Sequence, residues 1–201
     1  MSISIGLSFI ALSPVTFSAT NDAFIPNNVI EFKTALYETY QLDNKRLYIK
    51  SKEARINLDN KNIKLNGNVE TTFTLDGKTF SLKTISLSGN LLDKSISSSE
   101  TALFESKDLE IISSSIEISQ EPQQETKVIF SNANFEKINS ELKTHKGKAN
   151  RIELLPAKDL ILMEGNAEFR EDNMKIIADE IYYDLNEDRI LKSLNARIIN
   201  N

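Results

Sequence analysis

From Lys45 onward, apolar and polar residues alternate with period two almost throughout. Ile63, Leu65, Val69 and Phe73 fall on odd numbers, with Lys64, Asn66, Asn68 and Thr72 between them. In an extended chain this buries one set of side chains and solvates the other. Asp76-Gly77 separates Phe73-Thr74-Leu75 from Thr79-Phe80-Ser81-Leu82, the composition of a tight hairpin whose Gly takes positive φ. Shorter alternating runs follow at Leu109 to Ile111, Ile116 to Ile118, Val128 to Phe130, Ile152 to Leu154, Ile161 to Met163, Met174 to Ala178 and Ile181 to Tyr183. Turn-forming clusters at Asp59-Asn60, Asp93-Lys94, Pro156-Ala157, Asp172-Asn173 and Asn186-Glu187-Asp188 punctuate them at the spacing of an all-β sandwich or roll. One stretch departs from this pattern. Val29, Phe32, Leu36 and Tyr40 would share a helical face, so the spacing predicts a short helix over Val29 to Tyr40. Ser119 to Thr126, with Glu121-Pro122-Gln123-Gln124, reads as a solvated loop.

Before these elements, Met1 to Asn21 carries no charged side chain, and Ile3 to Ala19 is largely apolar with Pro14 interrupting it. That run falls short of the roughly 20 residues a membrane-spanning helix needs. It reads best as a secretory signal over residues 1–18, with an apolar core from Ile3 to Leu12 and cleavage after Ser18 or Ala19. An uncleaved anchor and a buried hydrophobic segment are the other readings. An N-terminal segment, 19–45, then leads into one β-domain spanning 46–201.

The β-domain repeats itself. Ile63-Lys64-Leu65-Asn66-Gly67-Asn68-Val69-Glu70 returns as Ile161-Leu162-Met163-Glu164-Gly165-Asn166-Ala167-Glu168, and its first positions return as Ile85-Ser86-Leu87-Ser88-Gly89-Asn90-Leu91. Three of the six glycines stand in this one frame. A strand that bends or bulges at Gly while its apolar face continues on the same side has this signature. Repeated corners of that kind stack strands into a layered, quasi-one-dimensional sheet pair.

The 201 residues are 40% hydrophobic and 26% charged, an ordinary globular balance. With 24 Lys+Arg against 29 Asp+Glu, the net charge of -5 gives no nucleic-acid footprint. The absence of cysteine excludes disulfide frameworks, thiolate metal sites and cysteine nucleophiles. Acid-base chemistry has few candidates. The single histidine, His145, lies in the basic run Lys143-Thr144-His145-Lys146-Gly147-Lys148 without local partners and reads as part of a solvated turn. Lys143, Lys146 and Lys148 suit either a plain soluble loop or contact with phosphate groups as point charges. Asp184-Leu185-Asn186-Glu187-Asp188 alternates oxygen ligands but lacks the central Gly and closing Glu of a calcium loop, which favours a hairpin turn. Asp179 and Glu180, adjacent on a strand, point to opposite faces and share no site. No catalytic residue, metal or cofactor is expected.

The strand-corner unit, its repetition and the apolar leader resemble the OstA-like domain of lipopolysaccharide-transport proteins, over roughly Leu47 to Ile190. The resemblance rests on Leu47-Tyr48-Ile49-Lys50-Ser51, Ile63 to Val69 and Phe80 to Thr84 in the first half. In the second half it rests on Ala133-Asn134-Phe135, Ala157 to Ala167 and Ile176 to Tyr183. It implies a slightly twisted, open β-jellyroll of stacked antiparallel strands that holds the acyl chains of lipid A on its inner face. It further implies a periplasmic, non-enzymatic carrier joined head to tail with its own copies. At one end its partner is an inner-membrane-anchored jellyroll (LptC-like), and at the other the N-terminal domain of the outer-membrane translocon (LptD-like). Lipid-lining candidates are Leu47, Ile49, Phe135 and Leu154, which match inner-face positions of the family, together with Ile63, Leu65, Val69 and Ile161. The plainer account of all eight is core packing, because alternation reports burial and not what is buried against. An anchored jellyroll of the same pathway, a structural β-domain with no lipid groove and an enzyme on a β-solenoid scaffold are the alternatives. The last requires converging carboxylates or a Lys-Arg pair on one sheet, a concentration the sequence does not display.

Overall fold

Period-two alternation becomes a folded antiparallel sheet in the computed structural model, which describes residues 17–19, 28–41, 44–90, 92–93, 95–119, 125–139 and 141–200. Side chains are described throughout these ranges except at 17–19, 37–41 and 44–47. A short strand, β1 (Phe17–Ala19), precedes four long ones: β2 (Val29–Gln41), β3 (Asn44–Asn57), β4 (Asn62–Leu75) and β5 (Lys78–Asn90). Four short strands follow, β6 (Ser95–Ser98), β7 (Ala102–Glu105), β8 (Leu109–Ser113) and β9 (Ser115–Ser119). Long strands then resume with β10 (Lys127–Ile138), β11 (Thr144–Leu155), β12 (Leu160–Glu171) and β13 (Met174–Asp184). The chain closes with β14 (Arg189–Leu194) and β15 (Arg197–Asn200), and a single 3-10 turn, Pro156–Lys158, joins β11 to β12. Among the described residues no helix is long and apolar enough to cross a membrane. The expected leader lies outside the described residues except for Phe17 and Ser18, which pair with Tyr37 and Leu36 of β2.

The pairing shows where the sheet folds. β5 pairs β6 through Ser88–Asn90 and β7 through Ser81–Thr84. β10 pairs β9 through Lys127–Ser131 and β8 through Asn134–Lys137. β6 pairs β9, β7 pairs β8, and β13 divides in the same way between β14 and β15. Each long strand therefore serves two half-sheets and bends between them. The first half-sheet carries β6, β9 and β14, and the second carries β7, β8 and β15.

Along this seam the ladder slips between Lys50/Glu53, Asn66/Val69, Lys148/Arg151 and Glu164/Ala167. Left-handed backbone marks it at Thr34, Gly67, Asn68, Asn132, Gly165, Asn166 and Asn195. Two copies of the repeated Gly-Asn unit, at Gly67-Asn68 and Gly165-Asn166, are thus equivalent corners, each stacked on a neighbour. A Cβ on Gly67 would lie 2.8 Å from Lys52 Cβ, and one on Gly165 3.0 Å from Asn150 Nδ2. Gly165→Ala is expected to cost about 1–2 kcal/mol in denaturant unfolding, from the left-handed backbone alone. Gly67→Ala should cost more, and stability equal to the parent's would refute a strained corner. The third copy is not a corner: Gly89 pairs with Ile63 and Ile96 inside the ladder. Its missing side chain instead admits β6, since a Cβ would meet Ser95 O at 2.8 Å.

The short helix expected over Val29 to Tyr40 is instead strand β2. Ile30, Phe32 and Ala35 are buried while Leu36 is exposed. Thr34, at φ 63, drops out of the ladder between Lys33 and Ala35 and shifts the alternation by one residue. A strand turned at one left-handed residue thus imitates the 3.6-residue spacing of a helix.

Candidate functional site

Directly paired strand residues share a face, so the register sorts the inner side chains into rows. In the first half-sheet one row runs Val128, Leu154, Ile161, Tyr183. In the second, a row runs Ile111, Phe135, Gly147, Phe169, Ile176. Of the expected lining residues, Leu65, Val69, Phe135, Leu154 and Ile161 are buried in one core, and Ile49 and Ile63 are half-buried against it. Leu47 pairs with Phe73 in β3, and its side chain lies outside the described residues.

The space between these rows is occupied by the protein's own side chains. Phe80 stacks on Phe104 at 4.9 Å, and Phe104 meets Phe130 of the opposite half-sheet edge-on at 5.2 Å. Nearby, Tyr183 packs against Phe135 at 5.7 Å and Phe169 at 5.3 Å. Such aromatic pairs contribute beyond their buried area, by about 0.5–1.5 kcal/mol each.

Opposite the seam, the free ends of the half-sheets form a mouth. A cavity of about 580 Å³ lies there. Phe80, Leu109 and Leu154 form its apolar floor, and Lys78, Lys137, Asp159 and Asp188 stand on its rim. Leu154 alone of the expected lining residues borders it.

Lysines span the mouth. Lys78 donates to Pro156 O at 2.7 Å and to the Asp159 carboxylate on the turn between β11 and β12. Lys137, with a side chain only 5% exposed, pairs with Asp188 on the turn between β13 and β14 and lies 3.4 Å from Asp108 Oδ2. The Tyr183 hydroxyl donates to Asp188 Oδ1 at 3.1 Å and lies 2.5 Å from His145 Nδ1. Burial, reinforced by the negative charge of Asp188, pushes the Tyr183 hydroxyl far above its ordinary range and keeps it a donor. Its oxygen then accepts from His145, which places a proton on Nδ1 by the logic of the network.

His145 is therefore not in a solvated turn. It sits in β11, 1% exposed, edge-on to Phe169 and Tyr183, with Nε2 3.5 Å from Glu171 Oε1 and without a hydrogen-bond partner. The signal was present in the alternation, since His145, Gly147 and Ala149 are buried while Lys146 and Lys148 are exposed. The outward lysines engage carboxylates: Lys146 lies 2.9 Å from Glu136, and Lys143 2.9 Å from Glu141. Asp184 accepts from the backbone of Asn186 and Glu187, both at 2.9 Å, so that segment is a hairpin turn. Among the described residues, no group of three or more His, Cys, Asp or Glu is placed to hold a metal ion.

Two family models match the chain. One, described as lipopolysaccharide-assembly, LptC-related, covers residues 17–117. The other, described as the LptA/(LptD N-terminal domain) LPS transport protein, covers residues 105–189. Among solved structures the chain is similar to LptH from Pseudomonas aeruginosa, the LptA homologous periplasmic component of the conserved lipopolysaccharide transport device. The TM-score is 0.55 at 8% identity, over 63% of this chain and 97% of that one, a likeness of fold. No curated protein matches the sequence.

Proposed function

The chain belongs to the LptC-related family of lipopolysaccharide-assembly proteins, whose model spans half of it, and on that premise we propose that it is a periplasmic lipopolysaccharide carrier. It shields lipid A acyl chains between its two half-sheets and passes them from the inner-membrane export complex toward the outer-membrane translocon. The observation that carries this reading is the pair of facing apolar rows with a cavity opening onto them at the mouth. Exposing an acyl chain of about a dozen methylenes to water costs about 10 kcal/mol, at about 0.8 kcal/mol per methylene. A lipid with several chains therefore needs a continuous apolar host to cross an aqueous space. Because the interior is filled, loading parts the half-sheets about the seam, and acyl chains replace the contacts the side chains give up. No bond is made or broken, and direction comes from the partners.

The sheet's ends support head-to-tail assembly with related jellyrolls. Among the described residues β14 and β15 each pair on one side only, with β13, and they expose Leu191, Leu194 and Ile198. An unpaired edge beside apolar side chains is a template for another strand, and joining unlike edges gives open filaments. Oligomers that grow with concentration are the expected result; a strict monomer at high concentration would remove this part.

The groove itself is tested at Ile49, half-buried on β3. Ile49→Asp is expected to abolish co-elution with purified lipopolysaccharide while leaving a folded chain by circular dichroism. Unchanged lipid crosslinking in that variant would overturn the assignment. A second reading, an anchored jellyroll of the same pathway, is favoured by the LptC-related match, which begins at residue 17. N-terminal sequencing of the mature protein separates the two, because a start near Ala19 excludes the anchor.

A further inference from the structure

The two lysine crossings at the mouth do something the strand ladders do not. Lys78 begins β5 and Lys137 lies near the end of β10, both in the second half-sheet; their partners Asp159 and Asp188 stand on turns of the first. Neither pair belongs to a ladder, and each joins residues remote in sequence across an open gap. Beneath them lie Phe80, Leu109 and Leu154, each buried and each bordering the cavity. On the opposite side, the seam is crossed by the continuous backbones of β2 to β5 and β10 to β13.

Resting on the carrier reading above, we propose that acyl lipid enters sideways through the mouth, and that Lys78–Asp159 and Lys137–Asp188 are the latch holding the half-sheets shut without cargo. The chemistry suits a reversible closure. Parting the half-sheets about the seam leaves every ladder intact and exchanges for water these ion pairs, the Pro156 carbonyl contact and the Tyr183 bond to His145. Separated charges are rehydrated, so the opened rim is soluble, and they find each other again when the groove empties. Lips closed by apolar contact would instead expose a sticky rim on opening.

The two crossings divide the work. Lys78 and Asp159 are each more than a third exposed and part readily. Lys137 and Asp188 are more deeply buried and are backed by Tyr183, whose hydroxyl holds Asp188 in place and itself receives His145. The buried pair is thus the slow bolt and the exposed pair the first to open.

The absence of cysteine makes the test direct. Lys78→Cys with Asp159→Cys introduces the only two thiols, which a short bis-maleimide joins across the mouth. A control pair, Glu136→Cys with Lys146→Cys, joins neighbours on the outer face of one half-sheet, 2.9 Å apart in the parent. Loading with purified lipopolysaccharide is followed by co-elution and mass spectrometry of bound lipid. The mouth crosslink is expected to slow loading at least tenfold while the control crosslink leaves it unchanged. Loading of the mouth-crosslinked protein at the parent's rate would show that lipid passes by the ends and would overturn side admission. Lys137→Met, which keeps the volume and removes the charge, is expected to load faster than the parent; a rate at or below the parent's would overturn the latch. The carrier reading fails separately, by an unmodified parent that takes up no lipid at all.

Discussion

Gly147→Val is expected to destabilise the protein by more than about 3 kcal/mol, the upper part of the range for overpacking a core. Gly147 occupies an inner position of β11, directly between Phe135 on β10 and Phe169 on β12. A Cβ there would lie 2.0 Å from Phe135 Cε1 and 2.8 Å from Met163 Sδ. The backbone of Gly147 is not left-handed, so the objection to a side chain is wholly steric. The Phe135 ring has nowhere to go: it is buried and packs on Tyr183, which is itself tied to Asp188. In a chain of this size the melting temperature should fall by about 6–12 °C, taking about 2–4 °C per kcal/mol. Adding Phe135→Leu should recover part of the loss, because the two side chains compete for one volume. A Gly147→Val variant as stable as the parent would show that Phe135 does not lie across this position.

Lys137→Ala should cost a comparable amount, about 3–5 kcal/mol, the range for removing one partner of a buried ion pair. The loss comes less from the forfeited attraction than from what stays behind. Asp188 keeps its charge in a site only 20% exposed, with the Tyr183 hydroxyl and no cation to answer it. Adding Asp188→Asn to the same Lys137→Ala chain is expected to recover a good part of the loss, since Asn still accepts from Tyr183 and no bare charge remains. Urea unfolding of the single and double variants reads this difference directly. Equal losses would mean that Lys137 acts through packing of its methylenes and not through its charge.

Several parts of the fold were legible because their chemistry is local. Asp76 and Gly77 both take positive φ, at 49° and 82°, as a two-residue hairpin requires. The repeated Gly-Asn unit marked two of the corners because few residues adopt the left-handed backbone such a bend needs. The inward set on β4, Leu65, Val69 and Phe73, followed from alternation alone. Where a left-handed residue breaks that alternation, at Thr34, the period misleads and predicts a helix for β2. The third Gly-Asn unit misled for a different reason: Gly89 is needed for close approach of β6, not for its backbone angle.

The mouth was not legible, and the reason is physical. Alternation states which side of a strand a residue faces, not what lies across the gap. Lys137 and His145 belong to types that water normally holds, and only partners from distant turns make their burial tolerable. Those partners are Asp188 for the first and Tyr183 for the second, 51 and 38 residues away along the chain. The amino-acid order by itself thus determined most of the longer strands after β2, two corners and the greasy side of the sheet, since each is set by neighbours within a few residues. Only the folding of one half-sheet over the other decided that the interior is filled and that its open side is closed by charge, since both depend on groups that meet across space.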